Sequence, residues 1–278
     1  MKILVTGCSG FIGKNLLEQL IPDVGVDIVQ LPKKLKKSIL VFKKEDFVNT
    51  DLNDIDIVIH LASFIDVQES KMYPDKYWEN NFIKTKQFID LCEKRGIKKF
   101  IFTSSASVYQ SSKNKHKENE ELSEDNNMYA RSKIACEKYL IQSKLNWVIL
   151  RLSNVYGKYN DKGVIYQFSK GLKHGTIIMN NFGESVRDFV HVYDVVEAIK
   201  KSFNINKKII NISSGKGISI NNLLTLIMNL NRKMKVNLEI TTFEEENYNI
   251  LNNTKMRTIL KIKPKTLKEG LKNVLEQD

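Results

Sequence analysis

Short apolar runs, rich in β-branched and aromatic residues and bounded by turn residues or charge, recur through the first half of the chain: Lys2–Thr6, Asp27–Leu31, Ile55–His60, Lys99–Ser104 and Trp147–Leu152. Runs of that length and makeup suit strands covered on both faces. Between them, Phe11–Gln19, Asn81–Glu93 and Met128–Ser143 carry apolar residues at three- and four-residue spacing, which predicts helices with one buried stripe. Strands alternating with helices predict a parallel sheet. Gln110–Asn127 holds almost no apolar residue and reads as a long polar loop. Beyond Tyr156 the pattern is less regular, with helices expected at Val164–Lys173, Val192–Ser202, Ser219–Asn229 and Leu267–Leu275 and strands at Thr176–Met179, Ile209–Ile212 and Val236–Ile240. The expectation is an α/β protein, a doubly wound parallel sheet in residues 1–156 and a smaller α/β substrate-binding part in residues 157–278, packed over the carboxyl edge of the sheet with an interleaved boundary.

Composition narrows the class. With 278 residues, 42% of them hydrophobic, 27% charged and only four prolines, the chain can bury a core and is not biased to disorder. The apolar stretch Ile55–Ile65 is broken by Asp56 and His60, so no membrane span or membrane partner is expected. Gly7, Gly10, Gly13 and Asn15 break the apolar start, which therefore reads as part of the fold rather than as a leader. Cys8, Cys92 and Cys136 lie far apart with no Cys-x-x-Cys pair, which predicts no metal site, no disulfide frame and a reducing, cytoplasmic setting. The net charge of +12 raises the question of nucleic acid, but apart from Lys33, Lys34, Lys36 and Lys37 the cations are dispersed among Glu and Asn. They read as solvated faces. No nucleic-acid partner is expected, and small anionic ligands fit the charge.

Thr6-Gly7-Cys8-Ser9-Gly10-Phe11-Ile12-Gly13 follows the first strand and opens the first helix, the setting a dinucleotide requires. Gly7 suits the tight turn, Gly10 lets the backbone approach a pyrophosphate, and Gly13 lets the helix pack closely on the strand. The expected architecture is therefore of Rossmann type. An acidic residue at the end of the second strand would bind the adenosine ribose and favour NAD. Asp27 falls too early in the run Asp27–Leu31, whereas Lys33 and Lys34 follow it and suit a 2′-phosphate, so NADP is preferred over NAD.

Tyr129 and Lys133 are four apart at the start of a predicted helix and share a face. An ammonium beside a phenol favours phenolate and so makes the tyrosine a usable acid and base. Phe102–Tyr109 leaves a strand at its carboxyl end with a cluster of hydroxyls, where open parallel sheets bind ligands. Either signal alone is weak; with the glycine turn upstream they describe one proton-transfer site.

At this point the chain resembles the extended short-chain dehydrogenase/reductase family, in its nucleotide-sugar epimerase, dehydratase and reductase branch. The matching segments run in family order: Thr6–Gly13, Asp51-Leu52, His60–Ser63, Asn80-Asn81, Ser104–Tyr109, Tyr129–Lys133, Arg151–Gly157 and Arg187–Asp194. The resemblance implies catalytic Ser105, Tyr129 and Lys133, Tyr129 and Lys133 also touching the cofactor. It implies that Gly7, Gly10, Phe11, Ile12 and Gly13 hold the cofactor, with Asp51 and Leu52 near the adenine, Leu61, Ala62 and Ser63 along it and Asn80 beside it. Ser153–Val155 would lie near the nicotinamide. Asn154 and Arg187, with Ser105, would meet a nucleotide-sugar substrate, a guanidinium being well shaped for its diphosphate. A homodimer through the helices Asn81–Glu93 and Met128–Ser143 follows by the same analogy. His60, Cys136, Trp78, Trp147 and His191 read as packed residues.

Two departures bear on the reaction. Ala106 and Ser107 stand where the family's dehydratases carry an Asp-Glu pair, so 4,6-dehydration is not expected. Phe243–Asn253 holds three glutamates and no counterpart of the second basic residue many members place there. The expected activity is an NAD(P)H-dependent 4-keto-sugar reductase with Tyr129 as acid. The alternatives are an NAD-dependent nucleotide-sugar 4-epimerase and, from another class, a non-catalytic dinucleotide-sensing or RNA-associated protein of the same fold.

Overall fold

The computed structural model describes residues 1–123, 127–231, 236–241 and 248–275. Seven strands form the central sheet: β1 (Ile3–Thr6), β2 (Val24–Asp27), β3 (Val41–Lys44), β4 (Ile57–His60), β5 (Lys99–Ser105), β6 (Trp147–Leu152) and β10 (Lys208–Ile212). The remaining strands are β7 (Asn154–Tyr156), β8 (Thr176–Asn180), β9 (Val186–His191), β11 (Gly217–Ser219), β12 (Asn237–Thr241) and β13 (Tyr248–Asn249). The helices are α1 (Phe11–Leu17), α2 (Val67–Met72), α3 (Pro74–Tyr77), α4 (Lys84–Lys94), α5 (Met128–Gln142), α6 (Gly163–His174), α7 (Val192–Lys201), α8 (Ile220–Leu230), α9 (Thr254–Thr258) and α10 (Leu267–Leu275).

The central order is β10-β6-β5-β4-β1-β2-β3, with every pairing parallel. This is the doubly wound, Rossmann-type sheet. The apolar strands alternate strictly between two cores, because successive side chains point to opposite faces. Ile3, Val5, Ile57, Ile59, Ile101, Val148 and Leu150 pack with Leu16 and Leu17 of α1 and with Val195 and Ile199 of α7. Leu4, Val58, Phe100, Phe102 and Ile149 pack on the other face with Phe88 and Ile89 of α4 and with Cys136 and Leu140 of α5.

The second half of the chain does not stay apart from the sheet, since it supplies β10 and α7. Its own core gathers Phe168 and Leu172 of α6, Ile177 and Met179 of β8, Phe189 of β9, Leu223 and Ile227 of α8 and Leu271 of α10. Strand β9 pairs with β7, β11 and β13, and β8 pairs with β12. No helix among the described residues is long and apolar enough to cross a membrane.

Three expectations shift. The second strand is Val24–Asp27 rather than Asp27–Leu31; Ile28 and Val29, though apolar, lie outside it and are exposed. The edge strand β3 went unpredicted because half of Val-Phe-Lys-Lys is charged. The helix expected at Asn81–Glu93 is α4 preceded by a π turn over Trp78–Ile83, a local widening often found at functional sites.

Candidate active site

The chain runs outward from β1 to β2 and β3, then returns to β4 on the other side of β1. Ligands bind open α/β sheets at the carboxyl edge of such a reversal. Gly7 follows β1 there with φ +70, and a Cβ on it would come within 2.6 Å of the Ala62 nitrogen after β4. Any side chain at Gly7 would therefore collide with the segment Leu61–Ala62. Gly13 is equally constrained, since its Cβ would meet the Gly7 carbonyl at 2.4 Å. Gly10 is exposed at the start of α1 and gives the helix no side-chain cap, and Phe11 and Ile12 are half-buried beside it.

Asp27 closes β2 at this edge. Its Oδ2 accepts the Ser9 N–H of the glycine turn and its Oδ1 accepts the Val29 N–H, both at 2.9 Å. Burial, partly offset by these bonds, holds its carboxyl above the usual range. The sequence reading set Asp27 aside as too early in its strand. Pairing of Leu4 with Val24 and Thr6 with Val26 puts it at the strand end instead, about 20 residues past the first glycine, where an acid meets a ribose diol. Lys33 is exposed on a 3-10 turn, Lys33–Ser38. The NADP preference drawn from Lys33 and Lys34 thus loses its premise, an end of β2 without an acid.

A dinucleotide fits what is present. Ser9 Oγ in the glycine turn, Ser104 Oγ near the end of β5 and Ser153 Oγ just past β6 are buried without a partner among the described residues. Leu61, Ala62 and Ser63 are half-buried past β4. Asn80 is half-buried in the π turn and donates to Asn81 Oδ1 at 3.2 Å. Asn81 itself is structural: it bonds Phe64 N–H and C=O and the Ser132 hydroxyl. Leu52 packs in the core, and the exposed Asp51 carboxylate accepts from Asn53.

Asn127 caps α5 by accepting the Ala130 N–H at 3.0 Å, which fixes Tyr129 in the first turn and Lys133 one turn on. Both are buried, and the Ser105 hydroxyl is hydrogen-bonded to the Tyr129 phenol. Lys133 Nζ lies 6.0 Å from the Tyr129 ring centroid and donates to the Thr103 carbonyl at 3.0 Å. The structure thus brings Ser105, Tyr129 and Lys133 together at the end of β5. Burial raises the Tyr129 pKa and the Ser105 bond pulls it back, so the expected shift towards phenolate by Lys133 is not what sets this phenol. Burial also lowers Lys133 to about 8, against the pull of Cys136 and Glu137.

His60 is a satisfied core residue. Its Nδ1 meets Thr6 Oγ1 at 2.8 Å and its Nε2 meets Thr85 Oγ1 at 3.1 Å, inside a cage of Phe47, Phe88, Phe100 and Phe102. Burial, with Lys133 nearby, lowers its pKa to about 3. The unfolded chain therefore takes up this proton first as pH falls from about 6.5, and stability is lost as pH falls through that window towards about 3. Urea unfolding of His60→Gln across that range should show a shallower pH slope than the parent, by up to about 1.4 kcal/mol per pH unit. An unchanged slope refutes the assignment. His191, also buried, accepts the Tyr193 N–H on Nδ1 and caps α7.

Asn154 and Arg187 line a cavity of about 790 Å³ with Gln68, Lys170, His174 and Asn181. Lys170 and His174 stand one turn apart on α6, and no carboxylate lines the cavity among the described residues. Asn154 Nδ2 donates to the Asp188 carbonyl at 3.2 Å, and Arg187 is half-buried, its Nη1 donating to the Val186 carbonyl. The glutamates Glu244, Glu245 and Glu246 lie outside the described residues.

Sequence reading missed Asn249. It pairs in register with Arg187, donates from Nδ2 to the Ala106 carbonyl at 2.9 Å and leaves a buried Oδ1 without a partner among the described residues. It also missed Glu137. That carboxylate receives Arg151 Nε on both oxygens at 3.1 Å and Nη2 at 2.6 Å, deep behind the site. A carboxylate one turn past Lys133 on the same helix face was the available signal for Glu137; Asn249 had none.

Known proteins share both the chain and its shape. A putative UDP-glucose 4-epimerase of Methanocaldococcus jannaschii is 32% identical over 98% of this chain and 97% of its own. The dTDP-4-dehydro-6-deoxyglucose reductase of Escherichia coli is 31% identical, covering 85% and 84%. A solved UDP-glucuronic acid 4-epimerase of Bacillus cereus, in complex with UDP-4-deoxy-4-fluoro-glucuronic acid and NAD, superposes with a TM-score of 0.87 at 26% identity, covering 99% and 98%. Residues 3–213 match the NAD dependent epimerase/dehydratase family. With the glycine turn, the all-parallel sheet and the Ser105, Tyr129 and Lys133 cluster in place, the chain belongs to that family.

Proposed function

We propose that the protein is an NAD-dependent nucleotide-sugar 4-epimerase. The observation that carries this reading is Asp27, which ends β2 and braces the glycine turn through Ser9 N–H, because a carboxylate there suits the free ribose diol of NAD rather than the 2′-phosphate of NADP. NAD, when bound, supplies the hydride acceptor and donor. Tyr129 takes the proton of the sugar hydroxyl on its phenolic oxygen and gives it back after re-reduction. Ser105 hydrogen-bonds the reacting oxygen. Lys133, fixed by the Thr103 carbonyl, keeps a positive charge near the phenol and reaches the nicotinamide ribose. Asn154 and Arg187 hold the nucleotide diphosphate in a cavity that Lys170 also lines and that no carboxylate lines among the described residues.

In this reading residues 1–156 bind the cofactor and residues 157–278 bind the substrate, β10 excepted. The faces of α4 and α5 turned from the sheet meet across a homodimer axis. Cys8, Cys92 and Cys136, all free and buried, suit a reducing cytoplasm.

The reductase reading keeps the same residues, with Tyr129 as acid, and draws support from the similarity to the dTDP-4-dehydro-6-deoxyglucose reductase. The two separate on one preparation. Denatured protein is expected to release NAD(H), and the intact protein is expected to convert UDP-galactose to UDP-glucose without added nucleotide. Protein free of nucleotide that oxidises NADPH on a nucleotide 4-keto sugar would overturn the epimerase in favour of the reductase.

A further inference from the structure

Ser105 caps the short 3-10 turn Ala106–Val108, and its Oγ receives the Ser107 N–H at 3.2 Å and the Ser107 hydroxyl at 2.8 Å. A serine hydroxyl has two lone pairs and one hydrogen. With both lone pairs engaged, the only capacity left to Ser105 is its hydrogen, and the Tyr129 phenol is hydrogen-bonded to it. We propose that Ser107 is a positioning residue that fixes Ser105 as an obligate donor, its one hydrogen given to the Tyr129 oxygen in the free protein and passed to the reacting oxygen when substrate binds.

The alternative that Ser107 removes is specific. A Ser105 with an open lone pair can accept the Tyr129 O–H, which holds the proton on the tyrosine and opposes its use as a base. Burial already leans the same way, since Tyr129 is buried. A donor locked from behind counters that tendency without adding a charge. The titratable groups around Tyr129 are few. Lys133 stands one turn along α5, where Cys136 and Glu137 act on it and it acts in turn on His60 of β4. None of them replaces a hydroxyl that can only donate.

The proposal rests on the reading of Ser105 and Tyr129 as the proton-transfer pair, and its test has a readout independent of turnover. In the purified full chain carrying ¹³C-labelled tyrosine, the Tyr129 resonance, assigned by its loss in Tyr129→Phe, is followed against pH. Ser107→Ala is expected to move the Tyr129 midpoint upward by roughly half to one pH unit. Ser107→Thr, which keeps the hydroxyl, should titrate with the parent.

With UDP-galactose as probe, Ser107→Ala should lower kcat roughly 3- to 10-fold at unchanged KM and move the pH optimum upward, with Ser107→Thr restoring both. An unmoved midpoint overturns the proposal, as does a raised KM at unchanged kcat, which marks a direct substrate contact instead. A moved midpoint in a protein inert towards UDP-galactose supports the role of Ser107 and counts against the epimerase reading alone.

Discussion

Tyr129→Phe is expected to lower turnover of UDP-galactose by roughly 10²–10⁴-fold while leaving nucleotide retention near the parent level. The substitution deletes one oxygen from a buried ring and keeps its packing against the turn that Asn127 caps. Ser105 and Lys133 remain, but neither replaces the phenol. Lys133 Nζ is engaged with the Thr103 carbonyl, and an aliphatic hydroxyl is far too weak an acid to hold its proton off at neutral pH. Rates and released NAD(H), measured side by side on parent and variant, decide the matter. Parent-like turnover would remove Tyr129 from the chemistry.

Breaking the Arg151–Glu137 pair should produce the largest loss of stability. Both groups are almost fully buried, and the arginine also donates to the Tyr109 phenol at 2.8 Å and to the Glu118 carbonyl at 3.2 Å. Tyr109 passes the chain of bonds to Asn211 Oδ1 of β10, and Glu118 accepts the Asn211 N–H. Glu137→Leu strands a guanidinium in the interior, which typically costs about 3–5 kcal/mol. For a chain of this size that is roughly 6–20 °C in Tm. The double variant with Arg151→Met removes the stranded charge as well and should recover much of the loss. Thermal unfolding of the two variants beside the parent tests this, and a Glu137→Leu protein that melts with the parent would exclude the pair as a structural brace.

The legible parts of the fold were those governed by burial on both faces. Trp147–Leu152 and Leu267–Leu275 have the bounds read from the sequence, because continuous apolar runs and helical periodicity leave little choice there. The end of β2 was not legible. Val24–Val29 is apolar on both sides of Asp27, and only pairing with β1 shows where the strand stops. That one displacement hid the acid and turned the cofactor inference towards NADP. Of the site, Tyr129 and Lys133 were accessible because a single helix turn carries them, while the strand end offered several hydroxyls, among which the family resemblance picked Ser105. Asn249 and the set of Tyr109, Glu118, Glu137, Arg151 and Asn211 come from separate segments with no shared period, so nothing short of the folded chain reveals their meeting.

The polar stretch read as a loop is in fact tied down. Ser112 N–H bonds the Tyr248 carbonyl, His116 N–H bonds the Ile250 carbonyl, Asn252 N–H bonds the His116 carbonyl, and Asn249 grips the Ala106 carbonyl beside Ser105. These partners follow the last strand of the central sheet, β10, in the chain. During synthesis, a ribosome will have translated the whole sheet and the phosphate-binding turn well before the anchors for the Ser105 loop emerge. A nascent chain thus holds every strand of the central sheet before it holds the anchors that steady the loop beside Ser105, and the reaction centre is finished only once residues 248–252 have been made.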